Sequence, residues 1–206
     1  EAARDPSAIA QTLTRRRITI LQLVPSLLEL MTDGAESASL NSLRLLFVGG
    51  EALKPDTVQR LGRQRPFELV NLYGPSETTI DATFERVAFG YPLEGLASAP
   101  IGLPVAGSQA WVVDAHLQHL PVGAPGELLM GGACVGLGYV GDPVLNAERF
   151  VPDPNSGAGE RAFLTRDLVR RLPDGRLVFL SRMDRQVKLG GNRVELEEIE
   201  AVLAPL

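Results

Sequence analysis

The sequence predicts an α/β fold: the end of a parallel lobe, then a small antiparallel β-sheet or barrel, then the start of a further small lobe. Two observations lead to it. Up to about residue 90, apolar strand-like runs alternate with segments opened by proline at helix-initiating positions, the texture of a parallel sheet with covering helices. From about residue 98 that alternation gives way to short strands separated by Gly/Pro turns. With 206 residues, 45% of them hydrophobic, the chain can bury a core and build one or two domains.

Asp5-Pro6 is a helix start, and the helix is expected to reach about Arg16. "ITILQL" (18–23) reads as a buried strand, Pro25 opens "PSLLELM" as a short helix, and "LRLLFVGG" (43–50) is a second strand ending on glycines. Pro55 starts a helix to about Arg63, and "FELVNLY" (67–73) is the third strand. Ligands of such sheets lie beyond the carboxyl ends of the strands, where Gly49-Gly50-Glu51 and Tyr73-Gly74-Pro75 fall. In the second part "QAWVVD", "GELLMGG", "RAFLTRDLVRRL" and "RLVFLSR" read as strands, with hairpin-like turns at "LPVGAPGE" and "LPDGR". "VELEEIEAVLAPL" (194–206) begins an amphipathic helix, with Leu196, Ile199 and Leu203 at helical spacing.

Charge and composition exclude several classes. The net charge is −5 and the basic residues are scattered, which argues against nucleic acid or an anionic membrane surface as main partner. One cysteine, Cys134, cannot form an internal disulfide, and no apolar run reaches the roughly 18 residues of a membrane span. The N-terminus has no basic-then-apolar targeting pattern, so a cytoplasmic location is expected. Without an initiator methionine the sequence reads as a piece of a longer chain.

Several apparent motifs have plain readings. Gly136-Leu-Gly138-Tyr-Val-Gly141 matches G-x-G-x-x-G and precedes a capped helix start at Asp142-Pro143, but it lies in the antiparallel part, outside any βαβ unit. His116 and His119 lack a third ligand and read as a solvated turn. Gly74-Pro-Ser76-Glu77 lacks the glycine spacing of a nucleophile elbow, and no G-x-x-x-x-G-K-[ST] loop occurs.

Four segments remain whose order and spacing are specific together: "NLYGPSETT" (71–79), "GELLMGGACVGLGYVGDPVLNAERF" (126–150), "FLTRDLVRRLPDGRLVFLSR" (163–182) and "RMDRQVKLGGNRVELEEIE" (182–200). Together they resemble the amino-acid-activating adenylation domains of nonribosomal peptide synthetases, within the adenylate-forming superfamily of acyl-CoA synthetases and luciferases, over essentially the entire chain. The resemblance implies a partial adenylate-forming fold. Residues 1–97 would be part of the α/β lobe of the large subdomain, 98–183 its antiparallel β portion, and 184–206 the hinge and start of the small C-terminal subdomain.

It also implies roles. The Gly74-Pro75 turn brings backbone close to the α-phosphate of ATP, the Ser76 hydroxyl donates to it, and Glu77 supplies a hard oxygen ligand for Mg²⁺. Tyr73 offers a flat face to the nucleotide and Asn71 an amide suited to an adenine edge, the plain alternatives being core filling and a turn. Gly49, Gly50 and Glu51 fall on the nucleotide side as well. Asp167 accepts the two ribose hydroxyls, and Arg182 reaches the ribose and phosphate region. Two departures stand beside them: the family's Thr-Gly-Asp reads Thr165-Arg166-Asp167, and the glycine before the arginine is Ser181. An arginine in the glycine's place brings bulk, or a positive φ, beside the ribose. Asp184 matches the hinge of the small lobe, and Lys188, with Gly190-Gly191, lies in the loop brought to the active site in the second catalytic state, so Ser76, Glu77 and Lys188 are the catalytic candidates.

The activity implied is adenylation of an amino acid by Mg·ATP and its transfer to the phosphopantetheine thiol of a peptidyl carrier domain, beside condensation domains, in antibiotic or siderophore biosynthesis. The family's phosphate loop and ammonium-gripping aspartate are expected upstream of residue 1, and its catalytic lysine beyond residue 206, so the chain alone is expected to be incomplete. The side-chain pocket falls on Gln22, Phe47, Gly49, Leu72, Ile80 and Asp81, similar to domains selecting glutamine, with glutamate next; the alternative is that Gln22 and Asp81 satisfy one another. "PVLNAERFVPD" (143–153) resembles the surface where some relatives bind a small MbtH-like activator. Two rival functions stay open: an acyl-CoA or aryl-acid ligase, and a degenerate adenylation module kept for docking.

Overall fold

Asp5 and Pro6 start the first helix as their chemistry requires. The computed structural model describes residues 5–32, 35–62, 66–90, 92–156, 159–189 and 192–194, with the single positions 196, 200 and 203. Helix α1 runs over Pro6–Arg16; the Asp5 carboxylate accepts the Ser7 amide at its N-terminus, and Pro6 fills a first-turn position whose N–H has no helical partner anyway. Arg17, left-handed at φ 52°, ends the helix by donating its amide to the Leu13 and Thr14 carbonyls.

There follow β1 (Ile20–Leu23), α2 (Pro25–Thr32), a 3₁₀ helix (Ala35–Ser42), β2 (Leu45–Gly49), α3 (Pro55–Leu61), β3 (Glu68–Tyr73), a 3₁₀ turn (Ser76–Thr78), β4 (Thr83–Val87) and β5 (Leu103–Pro104). The strands form one sheet in the order β1-β2-β3-β4-β5, with β1 parallel to β2 and β4 antiparallel to β5. The 3₁₀ helix and the two short strands β4 and β5 were not anticipated, because none carries a long periodic apolar run.

β1 is also not a buried strand. It begins at Ile20, which is 45% exposed, and Gln22 is exposed too. The pairing explains this: Gln22 stands opposite Phe47, and Leu23 opposite Val48. One face therefore carries Leu23, Leu46 and Val48 into the core, and the other carries Ile20, Gln22 and Phe47.

The chain divides into two compact units, one of residues 1–71, 86–99 and 185–206, the other of 72–85 and 100–184. In the first, Leu28, Met31, Leu40, Leu46 and Val48 are fully buried in one cluster. Its C-terminal part holds the hairpin of β11 (Val187–Leu189) and β12 (Asn192–Val194). Of the helix expected from Val194, Leu196 and Leu203 are helical, while Ile199 lies outside the described residues.

The second unit is built on β6 (Ser108–Val113), β7 (Pro125–Gly132), α4 (Pro143–Arg149), β8 (Phe150–Pro152), β9 (Arg161–Arg171) and β10 (Leu177–Arg182). Their order is β10-β9-β7-β6, with β8 on β9, so the antiparallel portion is an open sheet and not a barrel. Successive residues of β7 are buried on opposite faces: Leu128 and Met130 pack with Ala110, Val112 and Val169, whereas Leu129 packs with Val113 and Ala162. "LPDGR" makes the expected hairpin, Gly175 at φ 91° donating to the Leu172 carbonyl. "LPVGAPGE" is no tight hairpin; the β6–β7 connection runs over residues 114–124 and opens with Asp114 accepting the His116 and Gln118 amides. Among the described residues no helix is long and apolar enough to cross a membrane.

Glu51 is the N-terminal anchor of α2. Its carboxylate accepts the Ser26 amide at 3.0 Å and the Ser26 hydroxyl at 3.1 Å. Glu51→Ala should therefore lower stability by about 1 kcal/mol in thermal or urea unfolding; a variant as stable as the parent would remove this role.

Candidate active site

The loop after β3 is shaped by one residue without a side chain. A Cβ on Gly74 would stand 2.3 Å from the Ile80 carbonyl oxygen and 2.8 Å from the Ala82 nitrogen, so only glycine allows the chain to fold back here. The return is closed by Ala82 donating its amide to the Tyr73 carbonyl, and by Thr78 donating to Pro75. Thr79 and Ile80 are both left-handed, at φ 60° and 72°, a sparsely populated conformation for non-glycine residues that marks the loop as over-determined by its surroundings. The result presents Ser76 to solvent and turns Glu77 inward, where it is 9% exposed.

A second feature lies on β9. Between its pairings with Leu129 and Glu127 of β7 the strand carries two extra residues, a bulge that contains Thr165, Arg166 and Asp167. Arg166 is left-handed at φ 59°, so the position where the family has glycine keeps glycine's backbone conformation. It is held there by Glu127, whose carboxylate accepts the Arg166 amide at 2.8 Å, and by Met183, whose amide donates to the Arg166 carbonyl. The bulge turns Asp167 into a site where it is only 5% exposed. The Tyr73 hydroxyl donates to its Oδ2 at 2.5 Å, and Arg182 Nη1 donates to its Oδ1 at 2.9 Å. Arg182 also donates to the Thr165 carbonyl and forks onto both oxygens of Asp184. Burial pushes the Tyr73 phenol well above its ordinary range, and the Asp167 charge and hydrogen bond push it further, so Tyr73 is a neutral donor at any working pH. Burial alone would lower Arg182, but Asp184 and Asp167 outweigh it and raise the guanidinium further.

Glu77 has its own support. Tyr139 Oη donates to Glu77 Oε1 at 2.5 Å, and the Gly136 amide donates to the Glu77 backbone carbonyl at 2.8 Å. Among the described residues no cluster of three or more His, Cys, Asp or Glu side chains forms a closed metal cage. A single inward carboxylate suits Mg²⁺, which keeps waters and takes one or two protein carboxylates together with phosphate oxygens.

The expected residues thus divide. Tyr73, Gly74, Ser76, Glu77, Asp167, Arg182 and Asp184 belong to the second unit, as do Leu72, Ile80 and Asp81. Gln22, Phe47, Gly49, Gly50, Glu51, Asn71 and Lys188 belong to the first. There, Asn71 is buried and its amide donates to the Ala99 carbonyl at 3.5 Å, Glu51 caps α2, and Lys188 is exposed on β11. Gly190 and Gly191 lie outside the described residues. Sequence reasoning missed Glu127, Tyr139 and Arg149. Arg149 is 8% exposed, donates to the Leu164 carbonyl at 2.8 Å and lies over the Phe163 ring, tying the end of α4 to β9. All three stand inside the 126–150 segment, but only as part of a pattern.

Residues 1–140 match the family described as AMP-binding enzyme. The chain belongs to that family. Among relatives of this AMP-binding enzyme, phosphinothricin tripeptide synthetase PhsB of Streptomyces viridochromogenes is 45% identical over 202 residues, 98% of this chain and 17% of that protein. Among solved structures, holo-PA1221, an NRPS protein containing adenylation and PCP domains bound to a vinylsulfonamide inhibitor, superposes with TM-score 0.88 at 33% identity, covering 97% of this chain and 34% of that one. The Vibrio cholerae adenylation domain AlmE, in complex with glycyl-adenosine-5′-phosphate, gives TM-score 0.81 at 32% identity over 96% of this chain and 37% of its own. The AMP-binding enzyme chain thus spans under two thirds of each of these proteins, and its α/β class is that of adenylation domains.

Two measurements test the local chemistry. A left-handed non-glycine residue costs roughly 1–2 kcal/mol, partly offset by glycine's entropy, so Arg166→Gly should stabilise the chain by about 0.5–1 kcal/mol in urea unfolding; a loss of stability would mean that the arginine side chain contributes more than its backbone costs. Burial raises the Asp81 carboxyl above the ordinary carboxylate range. A folded-state value above the unfolded one favours folding below the unfolded value and is lost as pH rises through the folded one. Asp81→Asn should therefore melt higher than the parent at pH 7, with the gap closing below about pH 3.9.

Proposed function

We propose that this chain is part of an amino-acid adenylating ligase in a longer nonribosomal peptide synthetase, cytoplasmic, with residues 1–97 and 98–183 from the large subdomain and 184–206 opening the small one. The observation that carries the reading is the buried Asp167 carboxylate held by Tyr73 and Arg182 in the same unit as the Ser76–Glu77 loop. A carboxylate so oriented can accept two vicinal hydroxyls, as a ribose presents them. The complex of AlmE with an aminoacyl adenylate supports the same chemistry here.

In this reading a carboxylate oxygen of the amino acid attacks the α-phosphorus of ATP, the bond from that phosphorus to the bridging oxygen breaks, and pyrophosphate leaves with the electron pair. Ser76 donates its hydroxyl to the α-phosphate, Arg182 neutralises charge near the ribose and phosphate, and Tyr73 flanks the base. Glu77 would hold Mg²⁺, which when bound would offset the phosphate charge. Gly49, Gly50, Glu51, Asn71 and Gly74 are the further residues proposed to contact the nucleotide. Positioning and charge stabilisation supply most of the rate in such transfers. A carrier phosphopantetheine thiol then attacks the acyl carbon and AMP departs, with Asp184 as hinge and Lys188 brought in for this second state. Condensation domains and an MbtH-like protein at 143–153 are the further partners.

For the substrate we propose glutamine, then glutamate. Gln22 and Phe47 are register partners on adjacent parallel strands and Gly49 lies two residues on, so all three share one face. Leu72, Ile80 and Asp81 are the further residues proposed to select the substrate. Gln22 pairs with a carboxamide, and Asp81 accepts from its NH₂.

Amino-acid-dependent ATP/pyrophosphate exchange over the twenty amino acids, with the full-length protein and with this chain alone, tests the reading. Glutamine-driven exchange by the full-length protein, none by the chain alone, and a weakened glutamine-over-glutamate preference in Asp81→Asn are the expected results. An unchanged preference would overturn the pocket, CoA-dependent turnover of an acid would favour the acyl-CoA ligase, and silence from a well-folded full-length protein would favour the docking module.

A further inference from the structure

The G-x-G-x-x-G segment of residues 136–141 has a specific geometry. Residues 136–141 leave β7 and lead into α4, and pass over the Glu77 loop. The Gly136 amide is bonded to the Glu77 carbonyl, and a Cβ on Gly136 would come within 3.1 Å of that same oxygen. Gly138, at φ 126°, lets the Asn146 side chain approach to where a Cβ would meet its oxygen at 2.4 Å. Asn146 then closes a two-bond clamp on the next residue: Tyr139 donates its amide to Asn146 Oδ1 at 2.7 Å, and Asn146 Nδ2 donates to the Tyr139 carbonyl at 2.7 Å. The Tyr139 ring meets Phe150 edge-on at 5.5 Å. So fixed in backbone and ring, it delivers its hydroxyl to Glu77 Oε1.

We propose that Tyr139 is a positioning residue for Glu77: the strap of residues 136–141, anchored on α4 by Asn146, fixes the plane and reach of the carboxylate that takes up the magnesium ion. This rests on the reading of Glu77 as a magnesium ligand. Two glycines for close approach, a clamped backbone and a rigid ring are more than satisfaction of one buried carboxylate needs. A carboxylate side chain keeps broad freedom about its last torsion, and the hydroxyl removes it. A phenol also orients the carboxylate without cancelling its charge.

The test uses the full-length protein, Mn²⁺ as paramagnetic probe and a non-hydrolysable ATP analogue, with Mn²⁺ affinity read by electron paramagnetic resonance and metal-free AMP affinity and melting temperature read alongside. Glu77→Gln should weaken Mn²⁺ binding strongly. Tyr139→Phe should weaken it roughly 10-fold, the usual effect of removing a partner of a metal-binding carboxylate, with AMP affinity and melting close to the parent. Asn146→Ala, which loosens the clamp but leaves the hydroxyl, should weaken it in the same direction by less, and serves if Tyr139→Phe folds poorly. Parent-like Mn²⁺ binding in both strap variants, with Glu77→Gln impaired, would overturn the proposal and leave the reading of Glu77 intact. Parent-like binding in Glu77→Gln would overturn that reading and the proposal with it. Equal losses of Mn²⁺, AMP and melting temperature in the strap variants would make the strap a prop of the fold and overturn the proposal as well.

Discussion

The second unit is organised around a carboxylate that cannot be left alone. Asp167 is 5% exposed, and burying a charged carboxylate costs several kcal/mol unless its oxygens are satisfied. One oxygen takes the Tyr73 hydroxyl and the other takes Arg182. Those two donors come from the end of β3 and the end of β10, so the loop after Tyr73, the bulge of β9 and the last residue of β10 are tied to one side chain. A buried ion pair of this kind is weak evidence for stability, since an apolar replacement of both partners often does as well. What it secures is the orientation of the carboxylate.

The bulge explains why the Arg166 departure leaves the local geometry intact. A side chain does not forbid the left-handed region, it makes it costly, and Glu127 compensates by accepting the amide that the bulge leaves outside the ladder. Gly74 is different in kind. A Cβ there would overlap backbone, which cannot move aside as the end of a side chain can, so no partner could rescue a substitution. Replacing glycine is a question of torsional energy at one position and of volume at the other.

Much of the fold was legible because its signals are local. Proline at helix starts, the Asp5 cap and the β7–β9–β10 strands needed only periodicity and turn chemistry, and the end of β3 pointed to the Gly74 loop, whereas Asp167 came only from the resemblance of the 163–182 segment to adenylation domains. What was not legible depends on pairing. β1 looks buried because Ile20, Leu21 and Leu23 are all apolar, but its register with β2 sends Ile20 and Gln22 to the open face. Glu127, Tyr139 and Arg149 reach partners 39, 62 and 15 residues away, and no spacing rule in a single sequence connects such positions. Glu51 sits where a ligand residue was expected and also caps a helix through Ser26, a second duty that the strand-end rule does not foresee.

The choice of donors carries a last consequence. Both inward carboxylates, Asp167 and Glu77, are met by a tyrosine hydroxyl at 2.5 Å. A lysine in either place would satisfy the buried oxygen equally well but would neutralise it, and a neutralised carboxylate is a poor acceptor for a ribose and a poor ligand for a dication. The phenol fixes direction and leaves the charge. At Asp167 the charge is then shared with Arg182, whose guanidinium is itself divided between Asp167 and Asp184, so neither carboxylate is fully cancelled. At Glu77 the tyrosine hydroxyl likewise adds no charge of its own. One donor type thus serves both buried carboxylates, fixing the direction of each without adding charge.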